Sequence, residues 1–184
     1  YYEQYKADEA YADYGLPEPM NGNQPITHTD LIRRLWLDNN FFGNIFSLNY
    51  KDSLSQFTLG GGWNRYNGNH YGDVVWAQHG FTPPGRWYDL DAFKTDLSFY
   101  FKEQTKISPD FTLFYDLQYR GVKYNIEGFR DNPDLKINNN YNFFNPKAGI
   151  SYSKNNWSGY FSYSKGQKEP NREDFEAGLN QIPK

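Results

Sequence analysis

The side chains able to do chemistry are few and scattered. The chain has three histidines, His28, His70 and His79. Of these, His70 and His79 share with Asp73 the ligand types a divalent metal takes, but histidines in loop-like sequence are ordinarily solvated. Asp89 and Asp91 have the chemistry of a general acid and base, yet they share one segment with no convergent partner. Gly60-Gly61-Gly62 lacks the Lys-Ser/Thr and the helix of a phosphate loop, so small residues at a bend or a crowded spot explain it better. Absence of cysteine removes disulfide, zinc-thiolate and thiol-nucleophile chemistry together. Asn156-Trp157-Ser158 matches a glycosylation sequon but falls on a tight turn. Neither an enzyme nor a bound cofactor or metal is expected. A binding role is better represented. Tyr66, Tyr71, Trp76, Trp87 and Tyr88 crowd one stretch with Arg86, where aromatic faces can stack on sugars or catechol-type iron chelators and the guanidinium can meet an anion. The competing reading is that these rings pack the stretch against its neighbours or form an aromatic belt.

The elements that must position these residues follow from hydrophobic alternation. From residue 42 to residue 168 one unit recurs three times: a long alternating strand, a turn of a few residues, a second long strand, then a long polar aromatic-rich connection. The tight turns are Lys51-Asp52-Ser53, Ser108-Pro109-Asp110 and Lys154-Asn155-Asn156. The expected strands lie near 41–51, 54–66, 92–107, 111–127, 143–154 and 157–168, each pairing with its sequence neighbours. Successive side chains point to opposite faces of a sheet, so parity assigns Phe46, Leu48, Leu59, Leu97, Phe99, Leu113, Leu117, Ile150 and Phe161 to one apolar side. Ile45, Tyr100, Phe114 and Tyr160 break the pattern by falling on the polar side. Segments 1–30, 67–91, 128–142 and 169–184 read as loops on the side away from the tight turns.

Short turns on one side and long loops on the other are the wiring of an outer-membrane barrel. Strands of a dozen residues or more exceed the roughly 5–6 usual in soluble sheets and match the roughly 9–11 of a tilted membrane strand. Aromatics also flank every tight turn on the apolar face, Tyr50 with Phe57, Phe101 with Phe111 and Tyr152 with Trp157, as an interfacial girdle would. A mean hydropathy of −0.93 does not oppose this, because a barrel hides its apolar band in every second residue. A net charge of −3 gives no electrostatic footprint for nucleic acid. The fold class expected is all-β, an antiparallel meander of about six long strands. About eight strands are needed to close a side-chain-filled barrel, so residues 1–184 read as a partial β-barrel domain, a slice of a larger transmembrane one.

Particular motifs carry a family resemblance. Asn145-Pro146-Lys147-Ala148-Gly149-Ile150-Ser151-Tyr152, the hairpin through Trp157-Ser158-Gly159-Tyr160-Phe161-Ser162-Tyr163-Ser164, and Lys168-Glu169-Pro170-Asn171-Arg172-Glu173-Asp174-Phe175 together resemble the barrel of TonB-dependent outer-membrane receptors. Tyr1-Tyr2-Glu3-Gln4-Tyr5-Lys6, Asp38-Asn39-Asn40-Phe41-Phe42-Gly43, Leu59-Gly60-Gly61-Gly62-Trp63-Asn64 and Asn69-His70-Tyr71-Gly72 add to it. The set is similar to the Bacteroidetes branch of that family. The resemblance implies a barrel of roughly 22 strands closed by an N-terminal plug, in the outer membrane of a Gram-negative bacterium, importing a scarce nutrient with energy delivered through TonB. Neither the plug nor the TonB-contacting segment is found in these residues. The cargo most often met in this family is a ferric siderophore, with glycans and cobalamin as rivals. Asn132-Pro133-Asp134-Leu135 is similar to a haem-receptor motif, but its usual Phe/Tyr-Arg-Ala-Pro companion is missing and Asn-Pro-Asp is ordinary turn sequence. Two other readings stay open: a secreted aromatic-rich carbohydrate-binding β-sheet module and a small structural outer-membrane barrel. A slice of barrel out of its bilayer is expected to self-associate through its apolar face or its edges.

Overall fold

The alternating segments are strands, and longer than their apolar runs. The computed structural model describes residues 1–80, 85–130, 132–171 and 174. Among these, the strands are β1 (Tyr2–Ala10), β2 (Met20–Asn21), β3 (Gln24–Pro25), β4 (His28–Lys51), β5 (Ser55–Ala77), β6 (Gly85–Lys106), β7 (Phe111–Ile126), β8 (Ile137–Lys154) and β9 (Trp157–Ser164), with a 3₁₀ turn at Tyr11–Tyr14. One antiparallel sheet of seven strands has the order β1-β4-β5-β6-β7-β8-β9, and β2 and β3 form a separate small ribbon. The sheet is therefore the expected neighbour-paired meander with one strand added at its edge. Contacts group the described residues into two units. One comprises Tyr1–Asn40, Tyr66–Phe93 and Asn125–Ile137, the other Phe41–Arg65, Lys94–Tyr124 and the described part of Asn138–Lys184.

The added strand and the long strand ends correct the secondary structure expected of the loop segments. Residues 2–10, 20–21, 24–25, 28–30, 67–77, 85–91 and 137–142 are strand. Their Gly, Asn, Asp and Tyr content reads as turn chemistry, but cross-strand side-chain pairs hold them in a ladder. In β1, which has no apolar alternation, Glu3 meets Arg34, Gln4 Oε1 accepts from Arg33 at 2.8–3.0 Å, and Tyr5 bonds Asp30. A register shift between Lys6 and Glu9 places Asp8 at φ 56°, where its N–H donates to Asp30 Oδ1 at 3.0 Å. That local bond offsets part of the cost of the left-handed conformation. Residues 81–84, 131, 172–173 and 175–184, parts of the expected loops, lie outside the described residues.

The tight turns are set by side chains. Asp52 Oδ1 accepts from Leu54 N at 2.8 Å and Ser55 N at 2.7 Å, while Asp52 N donates to Ser55 O at 2.8 Å. Those two N–H groups hold the Asp52 carboxyl below its ordinary pKa. Ser108 Oγ serves the same end, accepting from Phe111 N at 3.1 Å. Asn155, at φ 53°, supplies the left-handed residue of the shortest turn, and β8 and β9 zip from Lys154↔Trp157 to Lys147↔Ser164.

Within the unit that begins at Phe41, parity holds. Phe46 and Phe99 meet edge to face at 6.4 Å across Gly61, and Ile150 is directly opposite Phe161. Phe46, Leu48, Leu59, Leu97, Phe99, Leu113, Leu117 and Phe161 are all exposed, as side chains that face lipid would be. Rings join beside the turns: Tyr50 stacks on Phe57 at 5.1 Å, Phe57 meets Phe101 at a tilt at 5.9 Å, and Phe111 meets Tyr152 at a tilt at 5.0 Å. Phe101 also meets Tyr115 at 5.9 Å.

Three of the parity exceptions have a common cause. A Cβ on Gly60 would stand 2.5 Å from the Tyr100 ring, one on Gly149 2.5 Å from Phe114, and one on Gly62 3.0 Å from Ile45. Each misplaced apolar side chain covers a glycine of the next strand, shielding backbone that has no side chain of its own. This accounts for the glycine run at 60–62 without any phosphate.

In the other unit, residues 11–27 fold onto one face of the strands. Tyr11 N donates to Thr27 O at 3.0 Å and its hydroxyl to His79 O at 2.5 Å. Gly15 ends the 3₁₀ turn at φ 60°. Tyr14, Leu31 and Val74 form a buried cluster, joined by Leu16, Ala77 and Trp87.

Candidate functional site

Tyr66, Tyr71 and Trp76 stand on β5, and Arg86, Trp87 and Tyr88 on the neighbouring β6. Pairing of those strands brings some of the six together. The Arg86 guanidinium carbon lies 3.9 Å from the centre of the Tyr71 ring, and Tyr71 stacks on Trp36 at 5.6 Å and 15°. Trp36 in turn meets Tyr1 at 4.5 Å, with Arg34 4.8 Å above the Tyr1 ring. Trp87 turns to the buried cluster, 5.0 Å from Tyr14, and meets Tyr88 edge to face at 5.0 Å. Both of those rings occupy the space beside Gly72, where a Cβ would come within 2.4 Å of Trp87. Trp76 is exposed, and Tyr66 lies alongside Gly68. By alternation Tyr66 and Trp76 share one face of β5 and Tyr71 takes the other. Contacts within the six include Tyr71 with Arg86 and Trp87 with Tyr88.

Arg86 is already engaged by acids of its own unit. Its Nε donates to Asp73 at 3.1 Å and its Nη1 to Asp89 at 2.7 Å. Asp89 and Asp73 push the guanidinium pKa further up, while Asn69 and Arg86 hold the Asp89 carboxyl below its usual range. Asn69 Nδ2 bonds both Asp89 and Asp91 at 2.7 Å, which ties the notional acid-base pair into this network. His28 Nδ1 lies 3.0 Å from Thr27 Oγ1, His70 Nε2 lies 3.3 Å from Asn39 Oδ1, and Asp73 is committed to Arg86. Asn132-Pro133-Asp134-Leu135 forms a turn closed by Leu135 N donating to Asn132 O at 3.2 Å.

A charged cluster that the sequence reading did not single out lies in the unit containing Lys94–Tyr124. Arg120 Nε donates to both carboxylate oxygens of Asp96 at 2.9 and 3.1 Å. Its Nη1 and Nη2 reach the two oxygens of Glu169 at 2.7 and 2.9 Å. Lys94 Nζ completes the set, 2.8 Å from Glu169 and 5.0 Å from the centre of the Tyr124 ring. Two cations and two anions are matched, with Asp96 and Glu169 largely shielded from water. Asn145 exchanges bonds of 2.7 and 3.0 Å with the Gln167 backbone, and Lys165 N donates to Pro146 O at 3.0 Å. Residues 165–169 are thereby pinned back onto the sheet. The available signal was a pair of oppositely charged residues, Asp96 and Arg120, at matching parity on otherwise mild polar faces, together with the Lys168-Glu169-Pro170 motif.

A family model described as TonB dependent receptor-like, beta-barrel, matches residues 1–180, and the chain belongs to that family. No curated protein matches it. Barrels of this family are outer-membrane proteins of Gram-negative bacteria, and their work is TonB-dependent transport, not catalysis. TonB and a plug domain are their general partners. Family membership sets aside the secreted binding module and the small structural barrel.

Proposed function

We propose that this chain supplies part of the wall and outer rim of a Bacteroidetes-type receptor that imports a ferric siderophore, with the plug and the TonB-contacting segment lying elsewhere in the receptor. The observation that carries this reading is the family match over a sheet whose strands outrun their apolar bands. At 24 residues and roughly 3.3 Å each, β4 is far longer than a hydrocarbon core of about 30 Å requires. The stretches beyond the apolar band, including 1–30, 67–91 and 128–142, are then available on the outer side to meet a ligand. Aromatic surface on the β5 and β6 arms supports a catechol-type cargo, with exposed Trp76 and the Trp87–Tyr88 pair as contacts. Tyr71 and Arg86 contribute through their stack, and Tyr66 borders the same arm. Arg86 would have to exchange Asp73 or Asp89 for an anionic cargo, so it serves such a ligand less well than the rings do.

Uptake of radiolabelled ferric siderophores by iron-starved cells, with and without the receptor, tests this. Loss of uptake on deletion, and a several-fold rise in half-saturation for Trp76→Ala at unchanged surface abundance, is expected. Unchanged ferric uptake together with a growth defect on a glycan or on limiting cobalamin overturns the siderophore assignment.

A further inference from the structure

The apolar side of β6 carries a carboxylate. By alternation Glu103 shares that side with Leu97, Phe99 and Phe101, and it stands three positions before β6 ends at Lys106, about 10 Å along the strand from its turn end. A carboxylate on a lipid-facing wall is costly unless it has partners. Tyr115 on β7 donates to its Oε2, and Thr105 donates to its Oε1 at 2.7 Å while taking a bond of 3.0 Å from Ser55 on β5. These partners are hydroxyls and supply no positive charge. Among the described residues no lysine, arginine or histidine pairs with Glu103. Lys102 takes the opposite side of the sheet by alternation and meets Asp116 there at 3.6 Å. An ionised carboxylate has about four acceptor positions, so about two remain open. The Phe101 ring, 5.9 Å from those of Phe57 and Tyr115, makes an aromatic row beside the carboxylate on the side away from the turn.

We propose that Glu103 and Tyr115 bind the primary ammonium headgroup of a phospholipid in the periplasmic leaflet. The tight turns of an outer-membrane barrel face the periplasm, and the polar interface on each side of the hydrocarbon core is about 5–8 Å deep. With the strand tilted by about 40°, a side chain about 10 Å along it from the turn end stands at headgroup level. A primary ammonium brings the missing charge together with three N–H donors, which matches the open acceptor positions. A quaternary ammonium brings the charge without a donor, and a glycerol headgroup brings hydroxyls without the charge. The rings of Phe57 and Phe101 lie where the first methylenes of the acyl chains would run, and an ammonium beside them also gains from their faces. The site is on the lipid side of the wall and is independent of what the receptor imports.

Native mass spectrometry of the full receptor in detergent tests this, with titrations of phospholipids that have identical acyl chains and ethanolamine, choline or glycerol headgroups. The ethanolamine lipid should bind at least fivefold more tightly than either of the others, a difference above about 0.9 kcal/mol. Glu103→Gln keeps the size of the side chain and an acceptor for Tyr115, and should bring the ethanolamine and choline lipids to within twofold of each other. Tyr115→Phe keeps the ring that meets Phe101 and should lose part of the preference, whereas Lys102→Gln, on the opposite side of the sheet, should keep all of it. If the Glu103 variant fails to fold, the headgroup comparison on the unaltered receptor and the Tyr115→Phe variant still decide. Equal binding of ethanolamine and choline lipids, a preference for the glycerol headgroup, or an ethanolamine preference that survives Glu103→Gln overturns the proposal.

Discussion

Tyr14 shows how one side chain can bind a covering segment to a sheet. Its ring packs on Leu31 and Val74, its hydroxyl donates to Glu9 Oε2 at 2.7 Å, and Arg33 donates to that hydroxyl at 3.3 Å. Burial, then the Glu9 bond, pushes the phenol up to about 12. The folded value lies above the unfolded one near 10, so the stabilisation is complete below about pH 10 and disappears as pH rises through about 12. Ultraviolet titration of tyrosinate should find a late-titrating phenol that Tyr14→Phe removes; no change in the curve would contradict the assignment. Arg120 is the corresponding residue of the charged cluster, and its loss takes the guanidinium from Asp96 and leaves Lys94 as the cation beside Glu169. Arg120→Met should cost on the order of 2 kcal/mol and release residues 165–169. Hydrogen exchange reads this directly: the Lys165 and Gln167 amides should exchange at least tenfold faster, with Ser55 and Phe111 in the tight turns unaffected.

At the scale of the strand, glycines and rings act as paired parts. Gly60 has the Tyr100 ring on one side and Phe46 O 2.9 Å from where its Cβ would be. Gly60→Ala should therefore destabilise by about 1–3 kcal/mol. Tyr100→Ala in the same chain should recover only part of that, because the backbone contact remains. The two losses should not add, and heat-modified mobility of the receptor on gels, compared across the single and double variants, would show it. Strictly additive losses would mean that ring and glycine do not act as a pair. This pairing also explains why strict alternation fails at Ile45, Tyr100 and Phe114. Each residue's pattern is set by the strand next to it, which a reading along one strand does not see.

Taken as a whole molecule, the sheet presents exposed Phe46, Leu97, Phe99, Leu113 and Leu117 and has β1 and β9 at its edges. Such a surface needs lipid or another copy of itself. The isolated 184-residue chain should self-associate in detergent-free buffer. Sedimentation velocity is the measurement, and a monodisperse monomer that stays soluble would count against an apolar face meant for a bilayer. Association of this kind would report missing surroundings, and carries no implication that the receptor is an oligomer.

The sequence by itself determined the fold class, the hairpins, the apolar face and the family. These depend on parity and on local turn chemistry, which survive without knowledge of the neighbours: Asp52, Ser108 and Asn155 make their turns from within a few residues. Tertiary structure alone decided how far the strands run, where Trp87 points and whom Arg86 meets. β1 and the upper parts of β4, β5 and β6 are held by partners such as Glu3 with Arg34 and Trp36 with Tyr71, about thirty or more positions apart, so their composition reads as loop until the pairing is known. The Arg120 cluster was hidden for the same reason. Its acids are at residues 96 and 169, and only the return of the chain after β9 brings Glu169 within 2.7 Å of the guanidinium.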